Sequence, residues 1–107
     1  MTQTAKPSNK SFDPVPPLSL EFTSAGPGYT ALEYNQRVAD QDLMLQILLT
    51  KSNGYKWVEE EFFMGEKRSN GKYTHNYPDG LKDIRYTLIG ITEGSGIPKI
   101  VTRTVEF

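Results

Sequence analysis

Apolar residues recur at every second position in several stretches of the chain. Leu18, Leu20 and Phe22 alternate with Ser19, Glu21 and Thr23. Successive side chains of a strand point to opposite faces, so this pattern predicts a half-buried strand over 18–23. Ala25-Gly26-Pro27-Gly28 ends it. Leu43, Leu45, Ile47 and Leu49 then repeat the period, with Met44, Gln46, Leu48 and Thr50 on the other face. Ser52-Asn53-Gly54 predicts a hairpin with a two-residue turn, because Asn and Gly both accept φ > 0. The returning strand spans 55–64, with Trp57 and Phe63 on one face. Ser69-Asn70-Gly71 predicts a second turn of the same chemistry, and a short polar-aromatic strand over 72–77 is closed by Pro78-Asp79-Gly80. Residues 83–93 form the next strand, with Ile84, Tyr86 and Leu88 sharing a face. Glu93-Gly94-Ser95-Gly96 makes a hairpin loop before a last strand over 98–107, rich in β-branched residues.

Turn signals about every ten to fifteen residues predict an all-β fold, an antiparallel β-sandwich. One stretch admits an alternative. Thr30-Ala31-Leu32-Glu33 has the form of a capping box, and no Gly or Pro interrupts residues 31–49. A helix there would make the fold α+β. Against it, residues 35–42 offer no continuous apolar stripe of helical period. Residues 1–17 differ from the rest. Pro7, Pro14, Pro16 and Pro17 forbid a helix and favour extended backbone. The expected division is therefore a proline-rich arm over 1–17 and a sandwich domain over 18–107.

From residue 38 to 107 the chain resembles an immunoglobulin-like or fibronectin type III-like sandwich. Val38-Ala39-Asp40-Gln41-Asp42-Leu43-Met44-Leu45 is similar to the entry to the second strand of such domains. Trp57 lies on the following strand, where immunoglobulin-like domains often keep a buried Trp. Leu81-Lys82-Asp83-Ile84-Arg85-Tyr86 looks like the approach to a tyrosine corner. The resemblance implies that the Tyr86 hydroxyl bonds backbone a few residues upstream. The inter-sheet cysteines of antibody domains are absent. The resemblance thus implies a scaffold, and a scaffold does not fix a function.

Composition narrows the classes. At 107 residues the chain has room for one core, burying roughly two-thirds of its unfolded surface. Its 12 basic and 13 acidic residues give a net charge of −1 and no basic footprint for nucleic acid. With no cysteine, disulfides and thiolate metal sites are excluded. The start, Met1-Thr2-Gln3-Thr4-Ala5-Lys6-Pro7, lacks a secretory h-region, and the apolar run within 43–49 is too short to cross a bilayer as a helix. The expected localisation is synthesis in the cytoplasm without a signal peptide, followed by incorporation into a virion.

Candidate chemistry is sparse. His75 is the single histidine and belongs to no HExxH or nucleophile-elbow pattern, so it is expected at the surface beside Tyr73 and Tyr77. Glu59-Glu60-Glu61 places two acids on one face of a strand, a pattern suited to a solvated face or a protected edge. Asp40, Asp42, Asp79 and Asp83 do not follow the EF-hand pattern. The Asn9-Lys10-Ser11 sequon has no secretion signal to support its use. No catalytic residue, cofactor or metal ligand is expected. Tyr73, His75 and Tyr77 share a face by period two and with Tyr55 predict an aromatic surface. Lys67, Arg68 and Lys72 make the tip of that hairpin basic. Trp57 is expected in the core.

These features predict a non-enzymatic structural or interaction module of a larger assembly, such as a phage capsid decoration or tail accessory protein. It would dock through its arm, with Phe12, Pro14, Pro16 and Pro17 as contacts. Its partners would be protein subunits, including copies of itself. The alternative is a carbohydrate-binding or adhesion module that stacks sugars on the aromatic surface. Nucleic-acid binding and membrane insertion are not expected.

Overall fold

The run at 43–49 becomes the centre of the molecule. In the computed structural model, which describes residues 18–36, 42–63, 70–91 and 99–107, it lies in a strand flanked on both sides. Seven strands are present among the described residues: β1 (Leu18–Gly26), β2 (Tyr29–Gln36), β3 (Asp42–Lys51), β4 (Lys56–Phe63), β5 (Asn70–Asn76), β6 (Leu81–Ile91) and β7 (Lys99–Glu106). They form two antiparallel sheets, ordered β1-β2-β5 and β4-β3-β6-β7, packed face to face as an all-β sandwich.

Period two explains the core. Leu43, Leu45, Ile47 and Leu49 of β3 turn inward beside Ile84, Tyr86 and Leu88 of β6 and Val105 of β7. Leu18, Leu20 and Phe22 of β1 and Leu32 and Tyr34 of β2 meet them from the opposite sheet. Fully burying each large apolar side chain contributes about 1.5–3 kcal/mol, so this interior dominates stability.

The helical alternative over 31–49 is not realised. Residues 29–36 form β2, which pairs with β1 on one side and β5 on the other. Thr30, Leu32 and Tyr34 are buried there, while Glu33 and Asn35 are exposed. Thr30, the would-be cap, instead occupies a core position. The entry to the second strand expected at 38–45 is also displaced. Its described part belongs to the third strand, β3, and residues 37–41 lie outside the described residues.

The first predicted turn is present with one more residue in its loop. Lys51 N–H donates to Tyr55 O at 2.8 Å and Gly54 N–H to Lys51 O at 2.9 Å, enclosing Ser52, Asn53 and Gly54. Gly54 has φ 93°, the left-handed conformation that closes three-residue hairpin loops. The second predicted turn is absent. Asn70 and Gly71 open β5, paired with Asn35 and Tyr34. Gly71 serves close packing there, since a Cβ would overlap the Tyr34 ring. Consequently β4 and β5 are not hairpin partners and belong to different sheets. The Gly-rich loop expected at 93–96 and the arm at 1–17 lie outside the described residues.

Candidate functional site

β4 and β5 are the outer strands of their sheets on the side opposite β1 and β7. Trp57, Glu59, Glu61 and Phe63 of β4 stand in register with Leu49, Ile47, Leu45 and Leu43, so they share the inward face. Tyr73 and His75 of β5 are in register with Leu32 and Thr30, also inward. These side chains meet across the gap between the sheets. Phe63 stacks on Tyr34 with centroids 4.4 Å apart and meets Tyr73 edge-on at 6.0 Å.

A polar series runs inward from this edge. Glu59 Oε1 lies 3.0 Å from His75 Nε2, and His75 Nδ1 lies 2.8 Å from the Tyr86 hydroxyl. The Tyr86 hydroxyl also bonds Thr30 Oγ1. A carboxylate only accepts, which sets the directions. The His75 Nε2–H donates to Glu59, Nδ1 accepts from the Tyr86 O–H, and the Tyr86 oxygen accepts from the Thr30 O–H. The second Glu59 oxygen accepts from the Trp57 indole N–H at 3.0 Å. Every link is consistent with a neutral imidazole. Burial pushes the His75 pKa below the usual imidazole range, partly opposed by the hydrogen bond and charge of Glu59. Burial also raises the Tyr73 pKa, with the charges of Glu61 and then Glu59 adding to it. The Tyr86 hydroxyl is pushed far up by burial, against the opposing effect of its bond to Thr30.

Carboxylate, imidazole and hydroxyl in line resemble the order of a nucleophilic relay. Its hydroxyl end, however, is closed: Tyr86 and Thr30 are fully buried. The solvent-facing end is Glu59, whose side chain is 43% exposed. The arrangement satisfies buried polar groups on four strands, and an unpaired one would cost about 1–3 kcal/mol.

The aromatic surface expected from Tyr55, Tyr73, His75 and Tyr77 does not form, because the face that three of them share is the inward one. His75 and Tyr77 are buried and Tyr73 is half-buried. Tyr77 donates its hydroxyl to Gly26 O at 3.3 Å and meets Phe107 edge-on at 5.2 Å. Tyr55 alone of the four is exposed, tilted against Trp57 with centroids 5.9 Å apart and Lys51 Nζ near both rings. Trp57 itself is half-buried on an edge strand beside the core, not within it. Tyr86 is not a corner tyrosine, since it sits mid-strand with its hydroxyl on side chains of β2 and β5. Glu59-Glu60-Glu61 does lie on an edge strand, and Glu59 is drawn into the polar series.

Of the basic tip, Lys72 is an exposed residue of β5, while Lys67 and Arg68 lie outside the described residues. Among the described residues no group of three or more His, Asp and Glu side chains could hold a metal. The arm contacts Phe12, Pro14, Pro16 and Pro17 and the acids Asp40 and Asp42 cannot be placed, because those side chains are outside the described set.

One surface feature escaped sequence reasoning. The register of the four-stranded sheet aligns Phe62, Met44, Ile89 and Ile100 in one row across its outer face. Phe62 is 50% and Ile100 61% exposed at the two ends of that row. Val58 beside Leu48 adds apolar area four residues along the strands, beyond the Glu60–Gln46 pair. Antiparallel sheets with one solvated face normally carry polar residues there. The signal was the apolar character of Met44 and Leu48, on the face of β3 that should have been polar.

No protein-family model, curated protein or solved structure matches the chain. The class it belongs to is thus defined by its architecture, an all-β sandwich of three and four strands.

Proposed function

We propose that this chain is a non-enzymatic interaction module of a larger protein assembly, built on an immunoglobulin-like or fibronectin type III-like scaffold. The observation that carries this reading is the apolar row Phe62, Met44, Ile89 and Ile100 across the outer face of the four-stranded sheet. Contiguous exposed apolar patches mark interaction surfaces. The strand order, β1-β2-β5 against β4-β3-β6-β7, supports the fibronectin type III-like form of the scaffold. The closed hydroxyl end of the Glu59–His75 series favours a structural role for the histidine. A decoration or accessory subunit of a virion is the member of this class that the proline-rich residues 1–17 favour.

Photo-crosslinking in the cells that naturally make the protein tests the reading. A photoreactive residue at Phe62 should give one discrete adduct with a protein, and the same residue at Thr74, on the outer face of the other sheet, should give none. Absence of an adduct at Phe62, or equal labelling from both faces, overturns it. Removing residues 1–17 should weaken the same adduct if the arm contributes to docking.

A further inference from the structure

We infer that the partner at this face is a second copy of the chain, docked sheet to sheet about a two-fold axis parallel to the strands. The inference rests on the reading of the outer face as an interaction surface. Such an axis exchanges the outer strands, β4 with β7, and the inner strands, β3 with β6. It therefore sets Phe62 against Ile100 of the second copy and Met44 against Ile89 of the second copy. The apolar row lands on itself without any polar residue opposite it.

Charge supports the same axis. Six residues along the strands from Phe62 and Ile100, the corresponding outer positions are Lys56 on β4 and Glu106 on β7, both exposed. The axis brings Lys56 of one copy opposite Glu106 of the other. Arg85 falls opposite Leu48 and becomes a diagonal neighbour of Glu60 of the other copy. Glu60 itself faces Thr102, and Asp83 faces Thr50. No like charges stand directly opposite one another. Arg85 also lies one strand from Arg85 and diagonal to Lys56 of the other copy, offset by Asp83 of that copy on its other diagonal. The mixed signs on this face also fit an anionic bilayer or nucleic acid poorly.

Size sets the expected strength. Four strands about 4.8 Å apart and four rows about 6.8 Å apart outline a face near the lower end of specific interfaces, roughly 1,000 Å² in total when two copies meet. Association in roughly the micromolar range is the expected outcome.

Sedimentation equilibrium of the full chain from about 1 µM to 1 mM tests the inference. A concentration-dependent dimer is expected, and Ile100→Arg should abolish it while far-UV circular dichroism stays unchanged. Lys56→Glu and Glu106→Lys should each weaken the dimer several-fold, and the double variant should restore it. Lys56 and Glu106 stand on opposite edges of one sheet, three strand spacings or about 14 Å apart. Rescue therefore reports contact between copies. A monomer at every concentration, a dimer indifferent to Ile100→Arg, or a double variant without rescue overturns the inference. A monomer that still crosslinks through Phe62 to a different protein would remove the second copy and leave the proposed function standing.

Discussion

The two sheets share an interior and differ on the outside. Across the three-stranded sheet the outward row is Glu21, Glu33 and Lys72, flanked by Ala31 and Thr74. Across the four-stranded sheet the corresponding surface carries Phe62, Met44, Ile89 and Ile100. Both sheets obey the same alternation, so strand geometry does not cause the contrast. The three-stranded face has the composition of a surface meant for water. β3 instead reads as a strand covered on both sides, as strands of fully buried sheets do. On the proposed reading, the lesson is that one face of this sandwich is made for water and the other for a partner.

Substitutions that ignore the outer contrast should show the largest effects. Leu32→Ala in β2 and Leu45→Ala in β3 remove side chains that are buried from opposite sheets. Each should destabilise by about 2–5 kcal/mol in urea unfolding, because the inner faces are equivalent. A large inequality between them would show that one sheet unfolds without the other.

Gly71→Ala probes the three-stranded sheet more locally. Its Cβ would displace the Tyr34 ring, which stacks on Phe63 of the facing sheet. A loss of about 1–3 kcal/mol is expected in the same measurement. An unchanged midpoint would mean that Tyr34 has room to move.

What joins the sheets should be visible in pH dependence. His75 has a lowered folded-state pKa, so the unfolded chain takes up a proton first as pH falls through about 6.5. Stability is therefore full above about pH 6.5 and declines as pH falls toward the folded pKa, by at most about 1.4 kcal/mol per pH unit. As the chain has one histidine, His75→Gln should flatten the profile between about pH 5 and 7.5. The groups facing the ring are Glu59 of β4, Tyr73 of β5, Tyr77 just after β5, and Tyr86 of β6. An equally steep profile in the variant would assign the slope to groups other than His75.

The smallest effects should come from exchanging the outer characters. Ile100→Thr on one face and Thr74→Ile on the other should each change monomer stability by no more than about 0.5 kcal/mol. Self-association, read by light scattering, should fall for the first and stay unchanged for the second. If Thr74→Ile produced the same association as the natural row, the contrast between the faces would lose its meaning.

Legibility in the sequence followed how local the cause was. β1, β3 and β6 showed themselves because their alternation is written in consecutive residues, and β7 because its β-branched residues are. β2 was hidden because Thr30 holds a core position and Ala31 an outer one, so the period carries little contrast. Asn70-Gly71 read as a turn because the use of Gly71 depends on Tyr34, a residue of another strand. His75 looked like a surface residue because its partners come from β4 and β6. The apolar row was the least legible feature. Its four members come from four strands, and only the register aligns them.

The series from Thr30 through Tyr86 and His75 to Glu59 takes one residue from each of β2, β6, β5 and β4. Two belong to each sheet. Leucine and isoleucine side chains tolerate several neighbouring arrangements of two facing sheets at similar energy. Directional bonds of 2.8 and 3.0 Å do not. A slip of one sheet by a single residue pair, about 6.8 Å, would leave a buried imidazole and two buried hydroxyls unbonded at once. The histidine series thereby acts as a discriminator among packings: greasy contact makes the sheets adhere, and this line of four side chains selects the one alignment in which they do.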